Sequence, residues 1–361
     1  MSAALLFTFA FALALAAGLV IKLWLATRQV RHVARHRDAV PAAFAQAITL
    51  AAHQKAADYT VAKTRFGLLE MAWGTAVLLG WTLLGGLDHL NKLLMEWKGA
   101  GMLQQLALLC AFALISGLLD LPFTLWQTFR LEERFGFNKM TWRLWLLDGV
   151  KSRLLGALVG LPLAALILWL MGAAGSLWWL WAWGAWMALN LLLMLVYPTF
   201  IAPLFNKFKP LDDAALKARV NALMQRCGFA AKGLFVMDGS KRSAHANAYF
   251  TGFGASKRVV FYDTLLRQLN AGEVEAGLAH ELGHFKRRHV VKRMAAMFAL
   301  SLAGFALLGW LSPHSWFYVG LGVQPNMAAP NDALAILLFM LAGPVFGFFV
   351  APLPVLISRK H

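Results

Sequence analysis

Long apolar stretches separated by polar, basic segments dominate the hydrophobic pattern of this chain. Seven of them are long enough to cross a bilayer, and they cover residues 3–25, 67–87, 102–121, 154–172, 177–197, 294–312 and 333–357. About 20 apolar residues in helical conformation span the hydrocarbon core. The pattern therefore predicts an α-helical integral membrane protein with seven transmembrane helices, the first a retained span and not a signal peptide. Pro344, Pro352 and Pro354 predict a kink in the last span.

The number of Lys and Arg residues between these stretches alternates between high and low. In chain order the counts are seven, two, six, none, sixteen and none, for segments 26–66, 88–101, 122–153, 173–176, 198–293 and 313–332. Because basic loops stay in the cytoplasm, we expect the N-terminus outside and the C-terminus inside. The same rule predicts that segment 198–293 is cytoplasmic.

The composition agrees with a membrane protein and narrows its partners. The 361 residues are 60% hydrophobic and only 14% charged, whereas a soluble protein carries about 25% charged residues. The net charge of +17 is explained by cytoplasmic loops beside anionic headgroups, so we expect a lipid membrane and no nucleic acid as partner. Two cysteines give neither a disulfide framework nor a Cys-based metal site. The Ala-, Leu- and Trp-rich composition leads us to expect a bacterial inner membrane.

A few polar groups lie within or at the ends of the predicted spans: Lys22, Glu70, Asp120 and Asn190. Such groups are costly in lipid, so we expect them to face one another, an interface or water. They could line a wet interior, whereas snorkelling at a span end explains Lys22 and Glu70 equally well. Asp148 and Lys151 are expected to pair with each other on the helix that follows the loop 129–141.

One region, 198–293, is polar enough to fold outside the bilayer. It separates a membrane domain (1–197, five spans and their loops) from a last part with spans six and seven and the start of the C-terminal region (294–361). The pattern predicts an amphipathic helix and three strands, at 212–227, Leu234–Asp238, Ala248–Thr251 and Arg258–Tyr262. The last two strands form a hairpin around a turn at 252–255. A further helix begins at a capping pair, Asn270 and Glu273, and continues into the sixth span.

That helix carries the sequence His280-Glu281-Leu-Gly-His284. Helix positions i and i+4 share a face, so both imidazoles can reach one ion. The H-E-x-x-H spacing predicts a single Zn²⁺ held by His280 and His284, with Glu281 as the base that deprotonates the attacking water. A solvated helix with these residues by chance is the alternative, which the scarcity of histidine disfavours. We therefore expect 198–293 to be a small α+β, zincin-like catalytic region.

The predicted hairpin offers a place for a peptide substrate. An extended peptide that pairs with an exposed edge strand would hold its scissile carbonyl over the metal. Residues 246–250 are the candidate edge, and we expect Asn247 and Tyr249 to bind substrate, Asn247 through the substrate backbone. A turn role for Asn247 is the alternative. The spacing ties neither His245 nor His289 to the metal.

Five stretches in the middle of the chain form a recognisable set. They are Phe-Gly-Phe-Asn-Lys-Met-Thr at 135–141, Ile-Ala-Pro-Leu-Phe-Asn-Lys-Phe at 201–208, Asp-Gly-Ser-Lys-Arg-Ser at 238–243, His-Ala-Asn-Ala-Tyr-Phe at 245–250 and the motif at 280–284. Together they resemble the CAAX prenyl endopeptidases of type I, which are integral-membrane zinc metalloproteases. The resemblance implies seven helices around a water-filled intramembrane chamber into which the zinc site opens. It implies cleavage near a substrate's C-terminus, beside a prenylated cysteine, with His280 and His284 as ligands and Glu281 as general base.

The resemblance also implies a third zinc ligand, a glutamate in a Ser-Arg-x-x-Glu motif after the last span. Residues 358–361, Ser-Arg-Lys-His, match its beginning, and the glutamate would be the next residue. After Glu281 the sequence has one acid, Asp332, which the charge count places on the far side of the membrane. A catalytic zinc takes three protein ligands. We therefore expect the 361-residue chain alone to bind zinc weakly and to cleave peptides poorly or not at all.

Three functions remain open from the sequence. The first is CAAX-type processing of membrane-associated or prenylated proteins by a zinc endopeptidase. The second is a general quality-control protease for membrane proteins, without a prenyl preference. The third, from another class, is a non-catalytic membrane protein that binds a lipid or prenyl group and keeps an incomplete metal site.

Overall fold

The computed structural model of the chain describes residues 1–229, 231, 233–251, 257–286 and 289–352, and the side chains of all of these except 284–286, 289 and 290. The α-helices in these ranges are α1 (Ala3–Arg35), α2 (Leu50–Trp81), α3 (Gly86–Lys98), α4 (Met102–Trp126), α5 (Trp142–Ala173), α6 (Trp178–Val196), α7 (Ala202–Phe205), α8 (Ala214–Arg226), α9 (Asp263–Gln268), α10 (Ala271–Lys286), α11 (His289–Leu311), α12 (Ser315–Val319) and α13 (Asp332–Val350). The strands are β1 (Phe208–Pro210), β2 (Gly233–Met237), β3 (Ala248–Thr251) and β4 (Arg258–Tyr262).

The span-length helices confirm the predicted membrane fold. Six helical segments are long and apolar enough to cross a membrane: Ala3–Arg35, Met102–Glu132, Trp142–Ala173, Gly175–Phe205, Val291–Leu311 and Asp332–Val350. The pair α2 and α3 passes the same test as one broken span, bent by 47°, which brings the number to seven within the described ranges. The predicted join between the metal-binding helix and the sixth span falls at residues 287–288, outside the described residues, as does the turn at 252–255.

The second predicted span differs from the sequence expectation, because it does not run straight to residue 87. Its helix ends at Trp81, and the chain turns at Gly85, whose φ of 79° is a left-handed conformation that favours glycine. A Cβ on Gly86 would lie 2.5 Å from the carbonyl oxygen of Gly80. An apolar run does not encode such a bend, which depends on two glycines at a close backbone approach.

Contacts divide the chain into two compact units, of which the first comprises Met1–Phe135, Ala164–Trp179 and Ala306–His361. Its interior holds a polar network that the sequence pattern did not reveal. The buried Asn91 accepts from Gln104 at 2.9 Å and donates to Asn326 at 3.0 Å, and the buried Gln105 accepts from the backbone N–H of Ala333 at 2.9 Å. The buried amide side chains thus form hydrogen bonds with one another. They also accept from a backbone N–H in the first turn of α13, which has no partner within the helix.

The second unit comprises Gly136–Leu163 and Leu180–Phe305 and contains the sheet. The strand order is β1-β2-β4-β3, with β2 and β4 parallel and both outer pairs antiparallel. The predicted β3–β4 hairpin is confirmed, with Ala248 opposite Phe261 and Thr251 opposite Arg258. The strand β3 is the last in the order, as the substrate hypothesis requires. The sequence did not predict β1, a three-residue strand that ends in proline.

The core of this unit lies between the sheet and the helices α8 and α10. Its buried side chains come from the segment before α8, from α8 and the following turn, from the sheet and from α10. They are Leu211, Leu216, Val220, Met224, Phe229, Leu234, Val259, Phe261, Val274, Leu278 and Leu282. Each such side chain contributes about 1.5–3 kcal/mol by leaving water. The predicted helix 212–227 is confirmed as α8, with Asp213 as its N-cap, accepting from the N–H of Leu216 at 2.9 Å. This core fixes the rotation of α10 about its own axis.

Candidate active site

The helix α10 begins where the capping pair predicts. The side-chain oxygen of Asn270 accepts from the backbone N–H groups of Gly272 and Glu273, each at 3.0 Å. The carboxylate of Glu273 accepts in turn from the backbone N–H of Asn270 at 2.8 Å. These reciprocal bonds form a capping box and fix the first turn of the helix.

The core positions of α10 determine what its other face presents. They recur at every fourth residue, at Val274, Leu278 and Leu282. Successive residues turn by about 100° around a helix, so position 280 lies nearly opposite this buried stripe. His280 is accordingly exposed, whereas Glu281, seven residues after Val274, lies beside the buried stripe and is nevertheless exposed. Position 284 lies one helical turn beyond His280, and the side chain of His284 lies outside the described residues.

The donors on this face fit zinc by their chemistry. Two imidazoles one turn apart are zinc ligands in metallopeptidases, and the carboxylate that follows the first of them serves as the general base. Within the side chains that the structure describes, no group of three or more His, Cys, Asp or Glu is close enough to hold a metal. The assignment of His280, His284 and Glu281 stays a prediction.

The strand β3 lies against the core to which α10 contributes. Ala248 and Phe250 pack on the buried cluster that includes Leu278 and Leu282. Asn247, just before the strand, is exposed, and its side-chain oxygen accepts from the N–H of Ala248 at 2.8 Å. This bond favours the turn interpretation of Asn247. Its role in substrate binding stays a prediction.

Tyr249 packs within the sheet. Its hydroxyl lies 3.9 Å from the sulfur of Met237, and its ring meets that of Tyr262 edge-on, with centroids 6.1 Å apart. Burial, with smaller contributions from Tyr262 and Tyr197, raises the pKa of Tyr249 to about 12. The residue is therefore a neutral phenol at physiological pH. The binding of substrate by Tyr249 stays a prediction, and the backbone of β3 is the feature best placed to pair with a peptide.

The loop that leads into β3 is held by Arg242. Its guanidinium makes a two-pronged ion pair with Asp148, at 2.8 and 3.1 Å. The same group donates to the side chain of Asn206 at 2.8 Å and to the carbonyl of Phe205 at 2.6 Å. The backbone carbonyl of Arg242 accepts from the N–H of Lys139 at 3.1 Å. Four of the five recognised sequence stretches thus meet in or next to one loop.

This arrangement contradicts the expected pairing of Asp148 with Lys151. Asp148 pairs with Arg242 instead, and the ammonium of Lys151 donates to the carbonyl of Leu204 at 3.1 Å. A planar guanidinium matches both carboxylate oxygens, whereas an ammonium is a single point charge. Proximity in the sequence favoured Lys151 as the partner of Asp148. In the folded chain Arg242, 94 residues away, reaches the carboxylate and binds it better.

Further contacts fix the remainder of the loop. The rings of Phe137 and His245 stack with centroids 4.2 Å apart and an interplanar angle of 14°. The carbonyl of His245 accepts from the hydroxyl of Thr264 at 2.8 Å, and the N–H of Ala244 donates to the carbonyl of Phe137 at 3.0 Å. The stretch 135–141, which looks like an ordinary loop in sequence, therefore supports the approach to β3.

At the other end of this loop, Asp263 holds the turn that contains Ser240. The backbone N–H of Ser240 donates to the Asp263 carboxylate at 2.8 Å, and its hydroxyl donates to the other carboxylate oxygen. Burial opposes ionisation, but these bonds and the charge of Arg267 outweigh it, so the pKa of Asp263 is lowered. The turn begins at Gly239, where a Cβ would lie 2.5 Å from the Tyr262 ring.

We predict a pH-dependent contribution of Asp263 to stability. Because its folded-state pKa lies below the unfolded value near 3.9, ionised Asp263 stabilises the fold fully above that value. The stabilisation is lost as the pH falls through the folded pKa. Thermal unfolding in detergent should show Asp263→Asn less stable by about 2 kcal/mol at pH 7, with the difference from wild type shrinking below about pH 4. A difference that stays constant down to pH 3 would contradict this role.

Two family profiles match consecutive parts of the chain. Residues 29–207 match the one described as CAAX prenyl protease N-terminal, five membrane helices, and residues 210–341 match peptidase family M48. The second match includes strands β2 to β4 and the helix with His280, Glu281 and position 284. Together with the fold, these matches define the class as integral-membrane metallopeptidases of family M48.

Relatives narrow this class to one family. The CAAX prenyl protease 1 homolog of Mus musculus is 30% identical over 89% of this chain and 77% of its own length. The homolog of Oryza sativa is 36% identical over 71% of this chain and 63% of its own length. The crystal structure of S. mikatae Ste24p aligns with a TM-score of 0.85 and 29% identity, over 96% of this chain and 83% of that one. The chain belongs to the CAAX prenyl protease 1 family.

The extent of these matches varies between relatives. The chain spans 63% of the Oryza sativa protein and 54% of the Arabidopsis thaliana homolog. It thus covers less than two thirds of the length of these curated relatives.

Proposed function

We propose that this protein is a zinc-dependent membrane endopeptidase that processes the C-termini of prenylated, membrane-associated proteins. The observation that carries the proposal is that His280 lies on the face of α10 opposite the core, with Glu281 exposed beside the buried stripe. The buried face shares its core with the edge strand β3. Because the metal-binding helix and the substrate strand pack on one core, the distance between them stays constant. Catalysis requires such a fixed distance between the metal and the bound substrate.

The roles follow from the chemistry of these residues. His280 and His284, together with the glutamate that the resemblance implies after the last span, would hold the zinc, which when bound polarises the scissile carbonyl and lowers the pKa of water towards about 7. Glu281 takes a proton from the attacking water and passes it to the leaving amine. The backbone of β3 pairs with the substrate as an added strand, and Asn247 binds the substrate backbone. The Arg242 network holds β3 in place.

The orientation is part of the proposal. The alternation of basic loops supports a cytoplasmic position for the active site and for the C-terminal end of α13, with the N-terminus outside. Prenylated substrates would then reach the enzyme from the cytoplasmic leaflet. The bacterial inner membrane predicted from composition stays a prediction, and the relatives named above are eukaryotic.

A second candidate is a general quality-control protease without a prenyl preference. Pairing with β3 would read the substrate's backbone and not its side chains, because an added strand is held by main-chain hydrogen bonds. The small, exposed neighbours Ala246 and Asn247 leave little for side-chain selection there. Cleavage rates for matched prenylated and unprenylated peptides separate the two candidates, since only CAAX processing requires the lipid.

Metal content tests the ligand assignment apart from activity. Protein that includes the third ligand implied by the resemblance, purified from membranes, should contain about one zinc, which His280→Ala and His284→Ala should each remove, while Glu281→Gln should retain it. His314→Ala is the matched control, because His314 caps α12 and bonds to the carbonyl of Trp310 at 2.7 Å. Full zinc content in folded His280→Ala would contradict the assignment.

A further inference from the structure

A cavity lies between three membrane-spanning helices of the first unit, apart from the proposed active site. It has a volume of about 260 Å³ and is lined by residues of α1, α2 and α13. Small residues on facing helices create it: Gly18 on α1, and Gly74 and Thr75 on α2. Lys22, Gly74 and Pro344 are exposed, so the cavity opens to the surroundings of the helices.

The lining is apolar except at one end. The hydroxyl of Thr75 donates to the carbonyl of Met71 at 2.8 Å, so its hydrogen-bonding capacity is used within α2. Among the described residues that line the cavity, Lys22 carries the only charged side chain. Its ammonium lies 4.9 Å from the ring centroid of Phe348, and no carboxylate of the described residues is within ion-pair distance. The cavity therefore combines an apolar slot with one cationic end.

The position of Lys22 along α1 places this cationic end at the membrane surface. From Ala3 to Lys22 the helix rises about 28 Å, close to the thickness of the hydrocarbon core. Beyond Lys22 the same helix carries Arg28, Arg31 and Arg35. Basic groups at this level attract the phosphates of anionic lipids. The slot thus runs from the headgroup level into the hydrocarbon region.

We infer that this cavity binds an anionic phospholipid of the bilayer, with one acyl chain in the slot and the phosphate against the ammonium of Lys22. The volume suits this occupant, because a methylene group is about the size of a water molecule, whose share of liquid volume is about 30 Å³. The space is therefore large enough for several methylenes of an acyl chain. The ammonium has three N–H donors, and its stacking on Phe348 leaves donors for phosphate oxygens.

Lipid occupancy would stabilise the packing of α1 against α13. Gly18 is buried, and a Cβ there would lie 3.5 Å from the Phe348 ring, so the two helices approach closely beside the slot. A chain in the slot supplies van der Waals contacts to the side chains that line the opening of the cavity. This binding site is independent of zinc and of the proposed peptidase activity.

Photo-crosslinking in vesicles tests the inference. The protein is reconstituted in phosphatidylcholine with a small amount of phosphatidylglycerol that carries a diazirine on its acyl chain, and labelled peptides are mapped by mass spectrometry. We expect labels at residues 74–78 and 341–345, and competition by unlabelled phosphatidylglycerol but not by phosphatidylcholine. Labelling that is even along the lipid-facing helices and indifferent to the headgroup would overturn the inference.

Two pairs of variants make the test specific. Gly74→Leu should fill the slot and abolish the labels, whereas Gly67→Leu, on the same helix and equally without a neighbour within 4 Å, should leave them unchanged. Lys22→Gln should lower labelling by phosphatidylglycerol about fivefold, and Lys22→Arg should restore it. Both Lys22 variants change an exposed side chain and should fold. They therefore still test the inference if Gly74→Leu does not fold. Displacement of the label by a prenylated peptide but not by phosphatidylglycerol would overturn the assignment to a bilayer lipid.

Discussion

Replacement of Glu281 by glutamine should abolish peptide cleavage while the protein remains folded and keeps its zinc. Glutamine has the same size but takes up no proton, so the attacking water is no longer deprotonated. General acid–base catalysis contributes about 10²- to 10⁴-fold, and we expect the cleavage rate to fall by this factor. The rate is measured with a fluorescent CAAX peptide under single-turnover conditions, which separate chemistry from substrate binding.

The same substitution elsewhere on α10 provides the control. Glu275 forms an ion pair with Arg219 at 2.7 Å, and it lies six residues before Glu281. Glu275→Gln removes an exposed ion pair, which costs about 0–1 kcal/mol of stability, and should leave cleavage unchanged. A Glu281→Gln protein that cleaves at the wild-type rate would remove Glu281 from its role as base.

Loss of Arg242 should loosen the substrate strand. Arg242 and Asp148 have side-chain exposures of only 19% and 14%, and removal of one partner leaves the other charge partly buried without compensation. For buried pairs this costs about 3–5 kcal/mol, and we expect Arg242→Leu to lie near the lower end. Hydrogen–deuterium exchange should become faster at the amides of residues 248–251, and peptide cleavage should fall with it.

Two further variants separate the ion pair from a general loss of fold. Arg242→Lys should recover only part of the stability, because an ammonium does not form the two-pronged contact. The double variant Arg242→Leu with Asp148→Leu should be more stable than Arg242→Leu alone, since no unpaired charge remains. Arg219→Leu is the control, because the exposed Arg219 also donates two bonds to one carboxylate. Unchanged exchange in folded Arg242→Leu would show that Arg242 does not support β3.

Local patterns in the sequence predicted much of this fold. The apolar runs, the capping box at Asn270 and Glu273, and the alternation in β3 and β4 each depend on residues close together in the chain. The same local patterns predicted the order of the strands and helices before the H-E-x-x-H helix. These features are local, so hydrophobic period and capping chemistry are sufficient to identify them.

Features that depend on distant contacts were missed or predicted wrongly. The ion pair between Asp148 and Arg242 joins residues 94 positions apart, and no spacing rule links them. The bend after Trp81 and the parallel pairing of β2 with β4 also depend on packing between separate elements. The family resemblance of the sequence motifs singled out the stretch 135–141, but only the structure shows that it holds the loop before β3.

The central claim is that cleavage requires zinc on the helix of His280 and His284, with Glu281 as base. The most direct measurement uses reconstituted protein that includes the implied third ligand. It is the rate at which this protein cleaves a prenylated CAAX peptide before chelation, after chelation and after zinc is returned. We predict that chelation abolishes cleavage, that zinc restores it in wild type, and that zinc restores none in Glu281→Gln. Cleavage that persists at the same rate after complete removal of zinc would contradict the claim.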